Sequence, residues 1–224
     1  MMKKKLMMSW STGKDSAWSL HQLQQKNEYE LVGLFCTINK KFARTAMHAV
    51  RVELLQEQAR QIGLPLDIIE IPYPCTNEQY AEIMEEFIDS IKARGVECCA
   101  FGDLFLGDIR DYRITQLQGT GIEPVFPLWG SPTDELGQQM IAGGLKTIIT
   151  CVDPKQLDPS FVGREYTEQF LADLPESVDP CGENGEFHSF VYDAPIFKQP
   201  INVRVTEVVE REGFVFADVV SAEA

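Results

Sequence analysis

The residues Ser11-Thr12-Gly13-Lys14-Asp15-Ser16 follow a short apolar run at positions 6–10 and open a stretch with helical spacing. A strand-to-helix turn built from small residues points successive backbone N–H groups at one spot. The helix behind it adds about half a positive charge at its N-terminus. Such a turn cradles phosphate. Gly13 permits close approach, Lys14 supplies a point charge, Asp15 a carboxylate suited to Mg²⁺, and Ser16 a helix cap or a hydroxyl donor. A second group of chemical residues stands far along the chain, in Asp179-Pro180-Cys181-Gly182-Glu183-Asn184-Gly185-Glu186-Phe187-His188. Within six residues of this glycine-punctuated turn stand three titratable side chains, Glu183, Glu186 and His188. Groups of this kind orient or deprotonate an amine, hold a metal or bind a polar substrate group, and the plain alternative is a solvated acidic turn.

The elements that must position these residues alternate between strand and helix patterns, which implies a parallel sheet covered on both faces. Strands are predicted at 6–10, 31–37, 66–71, 96–101 and 124–128, with helices at 16–26, 47–62, 109–117 and one capped by Asn77 that ends at Gly95. That much is a Rossmann-like, doubly wound α/β domain. Past residue 128 the pattern changes: a helix at 133–142, a strand at 147–152, a helix at 163–171, then strands from Phe187 onward. The last of these form a hairpin about Arg211-Glu212-Gly213. The expected division is a nucleotide-binding domain over 1–128 and a smaller α+β domain over 129–224.

Ligands of open α/β sheets bind beyond the carboxyl ends of the strands. Gly102-Asp103 closes the fourth strand as the Ser11 to Ser16 turn closes the first, so if those strands are neighbours Asp103 lies over the cradle and shares Mg²⁺ with Asp15. Its plain alternative is a turn cap. By analogy of fold, the second strand's end, at Thr37, faces an adenine edge.

Composition limits the partners. The net charge of −14 repels phosphate backbones, and no basic patch follows Lys3-Lys4-Lys5 and Lys40-Lys41, which argues against extended nucleic-acid binding. No run is long and apolar enough for a membrane span or a signal-peptide core, so a cytoplasmic protein is expected. The six cysteines lack the paired spacing of a zinc site or a compact disulfide framework and read as reduced thiols, with Cys98-Cys99 as core filling. No interface stripe is visible, and homo-oligomer formation is left open.

A Walker A loop needs a glycine five residues before the Gly-Lys pair, where Met8 stands, and Asp15 replaces its Ser/Thr. The turn resembles instead the Ser-Gly-Gly-Lys-Asp-Ser loop of the PP-loop ATP pyrophosphatases, within the adenine nucleotide alpha hydrolase-like superfamily. Thr12 departs from that pattern, and at positive φ a β-branched residue is strained. Taken with Met47-His48, Phe101-Gly102-Asp103, Pro127-Leu128-Trp129 and the segment from Pro180 to His188, the whole chain resembles the diphthine ammonia ligase family, in its short archaeal or bacterial form. Ser189 stands where that family usually has threonine.

The resemblance implies that a carboxylate attacks the α-phosphate of ATP, pyrophosphate leaves, and ammonia displaces AMP to form an amide. On that reading Ser11 to Ser16 and Lys14 hold the phosphates, Asp15 and Asp103 position Mg²⁺, Thr37 and Gly102 border the nucleotide, and Glu183, Glu186 and His188 handle ammonia. The implied substrate is diphthine on the translocation elongation factor in archaea and is undefined in bacteria. Two other functions share the first loop: a tRNA-modifying PP-loop enzyme, which needs a basic groove, and an ATP-binding sensor, which has no use for the second cluster.

Overall fold

The computed structural model describes residues 2–42, 44–45 and 48–222. Five parallel strands form the first sheet: β1 (Lys5–Ser9), β2 (Glu30–Asn39), β4 (Leu66–Ile71), β5 (Cys98–Ala100) and β6 (Glu123–Val125). Their order is β4-β2-β1-β5-β6, and the two-residue β3 (Arg44–Thr45) pairs antiparallel with the end of β2. The chain winds outward from β1 to β4 in one direction and returns to build β5 and β6 in the other. The switch point therefore falls between β1 and β5, and the Ser11 to Ser16 turn and Gly102-Asp103 flank it as neighbours.

Helices α1 (Lys14–Lys26) and α2 (Val52–Ile62) cover one face, their Leu20, Leu23 and Leu55 packing on Leu6, Met8 and Leu34. Helices α3 (Asn77–Ala93) and α4 (Gly107–Leu117) cover the other, where Phe87, Ile91 and Leu117 meet Met7, Phe35 and Phe101. The second sheet is antiparallel, in the order β8-β7-β10-β9, from β7 (Lys146–Val152), β8 (Phe187–Asp193), β9 (Val203–Arg211) and β10 (Phe214–Ser221). Beside it lie α5 (Thr133–Ala142) and α6 (Glu168–Asp173). Val191 of β8 is buried with α1 and α2, and Phe190 packs with Val50 and Leu54, so the two sheets share hydrophobic core.

Several boundaries differ from the sequence expectation for local physical reasons. α1 starts at Lys14 with Gly13 as its N-cap, and Ser16 does not cap it: its hydroxyl donates back to the Gly13 carbonyl at 2.9 Å. α3 is capped by Thr76 rather than Asn77, in a reciprocal capping box with Gln79. The helix expected over 47–62 begins at Val52, and Met47 lies outside the described residues. The segment before it is tied elsewhere: Arg44 Nη2 donates to Asp218 Oδ1 at 2.8 Å, and Arg51 Nε and Nη2 donate to the two Asp218 oxygens at 3.1 and 2.6 Å. One carboxylate on β10 thus holds both ends of the 44–51 segment. The helix expected over 163–171 is confined to α6, because Glu165 bridges to Ile148 and Thr167 caps a later start.

Burial alone would raise the Asp218 carboxyl, but the hydrogen bonds from Arg51 and Arg44 outweigh it and hold the pKa below its ordinary 3.8. Stability from such a group is present above the unfolded value and is lost as pH falls through the lower folded one. Asp218→Asn is expected to lower stability near neutral pH by about 2 kcal/mol. The difference should narrow once the pH drops below 3.8, which denaturant titrations at neutral and acid pH measure.

Candidate active site

A cleft of about 900 Å³ opens at the switch point and is bordered by both sheets. Its base is the turn after β1. Thr12 takes φ 75, a left-handed conformation that strains a β-branched residue, and it is fully buried with its hydroxyl unpartnered. Three polar contacts impose this geometry. The Thr12 carbonyl accepts from Val191 N–H at 3.0 Å and from Gln58 Nε2 at 3.1 Å, and Trp10 Nε1 donates to Gln58 Oε1 at 2.7 Å.

Two glycines set the spacing. A Cβ on Gly102 would stand 3.0 Å from Ser16 N and 3.1 Å from the Asp15 carbonyl carbon, so β5 meets the turn backbone to backbone. A Cβ on Gly13 would lie 2.5 Å from His48 Cε1.

Lys14 is 2 % exposed, yet its ammonium reaches across the cleft. Nζ donates to both Asp15 oxygens, at 2.9 and 2.8 Å, and to the Cys181 carbonyl, and it lies 5.5 Å from the Phe187 ring centroid. Burial works against the charge, but Asp15 foremost, then Cys181 and Glu183, outweigh it and leave the pKa above its ordinary value. The Lys14 N–H donates to Ser189 Oγ at 3.3 Å. The first turn and the second cluster are thus in direct contact.

The 179–188 segment divides its titratable groups. Asp179 Oδ1 accepts from Cys181 N–H at 3.0 Å and Glu183 N–H at 3.1 Å, which winds the turn around its own carboxylate. Glu183 then points into the cleft, where Oε1 accepts from Leu104 N–H at 2.7 Å. Burial pushes its carboxyl up to about 7, against the Leu104 hydrogen bond and with help from Asp15. Glu186 does not reach the cleft. It is 1 % exposed, and Oε1 holds the turn by accepting from Asp179 N–H at 2.9 Å and Asn184 Nδ2 at 3.1 Å. The expected action on an amine is therefore corrected to a role in shaping the turn.

His188 does line the cleft, with Nε2 buried and unpartnered, and burial, with the nearby His48 and Lys14, pushes its pKa down to about 3. His48 packs beside it with ring centroids 4.8 Å apart, and its Nδ1 donates to the Ser189 carbonyl at 2.9 Å. Burial lowers its pKa too.

Ser11, Lys14, Asp15 and Ser16 line the cleft, and so do Thr37, Gly102 and Asp103, whereas Thr12 and Gly13 lie beneath it. Burial raises the Asp103 carboxyl, against Arg113 and reinforced by Asp15, and its Oδ2 has no hydrogen-bond partner. Among the described residues no three carboxylate, histidine or cysteine side chains gather into a metal cage. Two carboxylates beside a phosphate cradle nonetheless suit Mg²⁺, which takes much of its coordination from phosphate and water. The Cys181 thiol, pushed up to about 12 by burial, is no nucleophile at neutral pH; its carbonyl is what serves the site. Residue-type reasoning gave no sign of Gln58, whose partners Trp10, Thr12 and Val191 are remote in sequence, or of Arg113, and it marked Ser189 only by the family's threonine position. His48 was marked only by the Met47-His48 pair.

A Rossmann-like sheet whose first crossover is this Lys-Asp-Ser cradle belongs to the PP-loop class of α/β proteins. The sequence model of the diphthamide synthase N-terminal domain matches residues 2–118 and that of the C-terminal domain residues 133–220. The chain belongs to that family. Diphthine–ammonia ligases of Bos taurus and Homo sapiens are each 29% identical over 164 residues, 70% of this chain and 61% of the relative. The Mus musculus enzyme is 35% identical over 103 residues, 44% of this chain and 39% of the relative. The chain thus spans about 61% of the length of the bovine and human relatives. A U34-tRNA thiolase from Methanococcus maripaludis aligns in structure at a TM-score of 0.39 and 13% identity, covering 63% of this chain and 58% of that one. No described helix is long and apolar enough to cross a membrane.

A depressed histidine pKa makes the folded state lose stability as pH falls below the unfolded value of 6.5, until the folded value is reached. Ring-nitrogen NMR should find His188 neutral at pH values where a free imidazole is protonated. A His188 midpoint near 6.5 would contradict its burial.

Proposed function

We propose that the chain is an ATP-dependent amide-forming ligase of the diphthine–ammonia ligase type. It activates a substrate carboxylate as an acyl adenylate with release of pyrophosphate, and ammonia then displaces AMP. The reading assigns residues 1–128 to ATP and residues 129–224 to the amination half. The observation that carries it is Lys14, an ammonium buried at a phosphate cradle and gripped by the Cys181 carbonyl of the turn that presents Glu183.

Backbone N–H groups of the Ser11 to Ser16 turn and the N-terminus of α1 receive the β- and γ-phosphates. A triphosphate competes with Asp15 for the Lys14 ammonium, which stabilises charge on the departing pyrophosphate. Asp103, with one free carboxylate oxygen, and Asp15 would hold Mg²⁺. When bound, the ion supplies charge neutralisation to the phosphates. Ser16, whose hydroxyl lies 3.1 Å from Ser11 Oγ, is placed to donate to a phosphate oxygen, and Thr37 borders the adenine end.

In the second half-reaction the nitrogen lone pair of ammonia forms the C–N bond while the C–O bond to AMP breaks, and one proton must leave the nitrogen. Glu183, with a pKa of about 7, is matched to accept it near neutral pH. His188, neutral throughout that range, positions ammonia without repelling it or Lys14. The substrate is a carboxylate, borne on a protein if it is the diphthine in the relatives' name.

Lys14→Ala is expected to lower AMP and pyrophosphate release by about 10²-fold or more with circular dichroism unchanged. Undiminished release would refute the cradle assignment, and ADP with phosphate as products of the unaltered protein would overturn the ligase reading. Amide formation should rise with pH through about 7 as Glu183 loses its proton. Glu183→Gln should remove that step while sparing ATP binding, which a pH–rate profile beside calorimetry resolves.

A further inference from the structure

Helices α3 and α4 stand apart over the sheet, and the cleft runs from the cradle into the groove between them. Tyr80, Met84 and Ile88 line it from α3 at four-residue spacing, and Ile109, Tyr112 and Arg113 from α4 at spacings of three and four, so each helix turns one face to the groove. Apolar and aromatic side chains alternate on the walls with the polar Glu85, Asp89, Lys92 and Gln116. At the end beside the cradle, the Arg113 guanidinium carbon lies 5.0 Å from the centroid of the Phe101 ring.

Arg113 Nε is buried with no hydrogen-bond partner, and it faces Asp103 Oδ2, equally unpartnered, at 3.9 Å. That separation is too long for a hydrogen bond, and buried donors left unmade are rare. Lys14 is committed to Asp15 and the Cys181 carbonyl, and Lys92 forms a loose, exposed pair with Asp89 at 3.6 Å. Glu85, Asp89 and Lys92 stand further along α3, and Arg113 is the guanidinium that faces Asp103. A guanidinium offers a planar fork that matches a carboxylate and cannot be deprotonated.

We propose that Arg113 anchors the carboxylate of the substrate that is to be activated, and that the groove between α3 and α4 receives an acid with an apolar or aromatic body. The activation step rests on the ligase reading above; the binding site does not. The acid's oxygen would be held beside Asp103 at the mouth of the phosphate cradle, and the groove would discriminate among acids by the shape of what lies behind the carboxylate.

Calorimetric titration of the whole chain with 3-phenylpropionate, and separately with ATP and Mg²⁺, tests this. The unaltered protein should bind 3-phenylpropionate. Arg113→Ala should weaken that binding about tenfold or more, Arg113→Lys should restore part of it, and Met84→Trp should block it by filling the groove. In Met84→Trp, which leaves Asp103 and the cradle residues unaltered, ATP affinity should stay within about threefold. The proposal is overturned if the unaltered protein does not bind the acid, if Arg113→Ala leaves its affinity unchanged, or if Arg113→Ala and Met84→Trp weaken ATP instead, which would assign the groove to the adenine base. Release of ADP rather than AMP would remove the ligase reading and leave these titrations standing.

Discussion

A charge taken out of water has to be compensated where it lies, and the Lys14 ammonium is compensated from two parts of the chain at once. Asp15 comes from the same turn. The Cys181 carbonyl and the Phe187 ring come from a segment more than 160 residues away in sequence. Neither the phosphate cradle nor the acidic turn is complete alone, because removing either leaves a buried ammonium short of partners. The shared core between the sheets, through Val191 with α1 and Phe190 with Leu54, packs the two segments against each other.

The same dependence explains how Thr12 tolerates a left-handed backbone. A β-branched residue at φ 75 is unfavourable by roughly 1–2 kcal/mol, and its buried hydroxyl adds to the penalty. The carbonyl that this conformation exposes is taken up by Val191 N–H and the Gln58 amide, and Gln58 is itself held by Trp10. Strain at the turn is offset by hydrogen bonds from β8 and α2. The Lys14 N–H that follows is taken up by Ser189 Oγ, so β8 fixes the backbone of the turn on both sides of Gly13.

What could be read in the sequence follows from the range of the interactions. The alternation of strands and helices, the α5 span and the final hairpin depend on local periodicity and turn residues, and these agree with the structure. The start of α2 does not: Arg51, its N-cap, has extended backbone and is held by Asp218, far down the chain. Within the acidic turn, residue types identified a cluster but not its directions. Whether Glu183 or Glu186 faces the cleft is decided by Asp179, whose carboxylate gathers the N–H groups of Cys181 and Glu183 and swings the two glutamates apart. His48 carried no local signature beyond its neighbour, since its partner is the Ser189 carbonyl across the cleft.

The electrostatics of the cleft impose an order on what can enter it. Asp15, Asp103 and Glu183 surround one ammonium and one guanidinium, so a polyphosphate would meet net repulsion if all three carboxylates were ionised. Burial eases this at Glu183, which it pushes up to about 7. A protonated Glu183 makes the cleft more receptive to an anion, and an ionised one makes it a better base, so the two requirements on one carboxyl oppose each other across neutral pH. The histidines stay outside this exchange. Because burial lowers the pKa of both His48 and His188, they add no positive charge beside Lys14 and leave the balance to the carboxylates. On the proposed reading anion binding and proton transfer are coupled through the protonation state of a single side chain, Glu183, which is held by the Leu104 N–H.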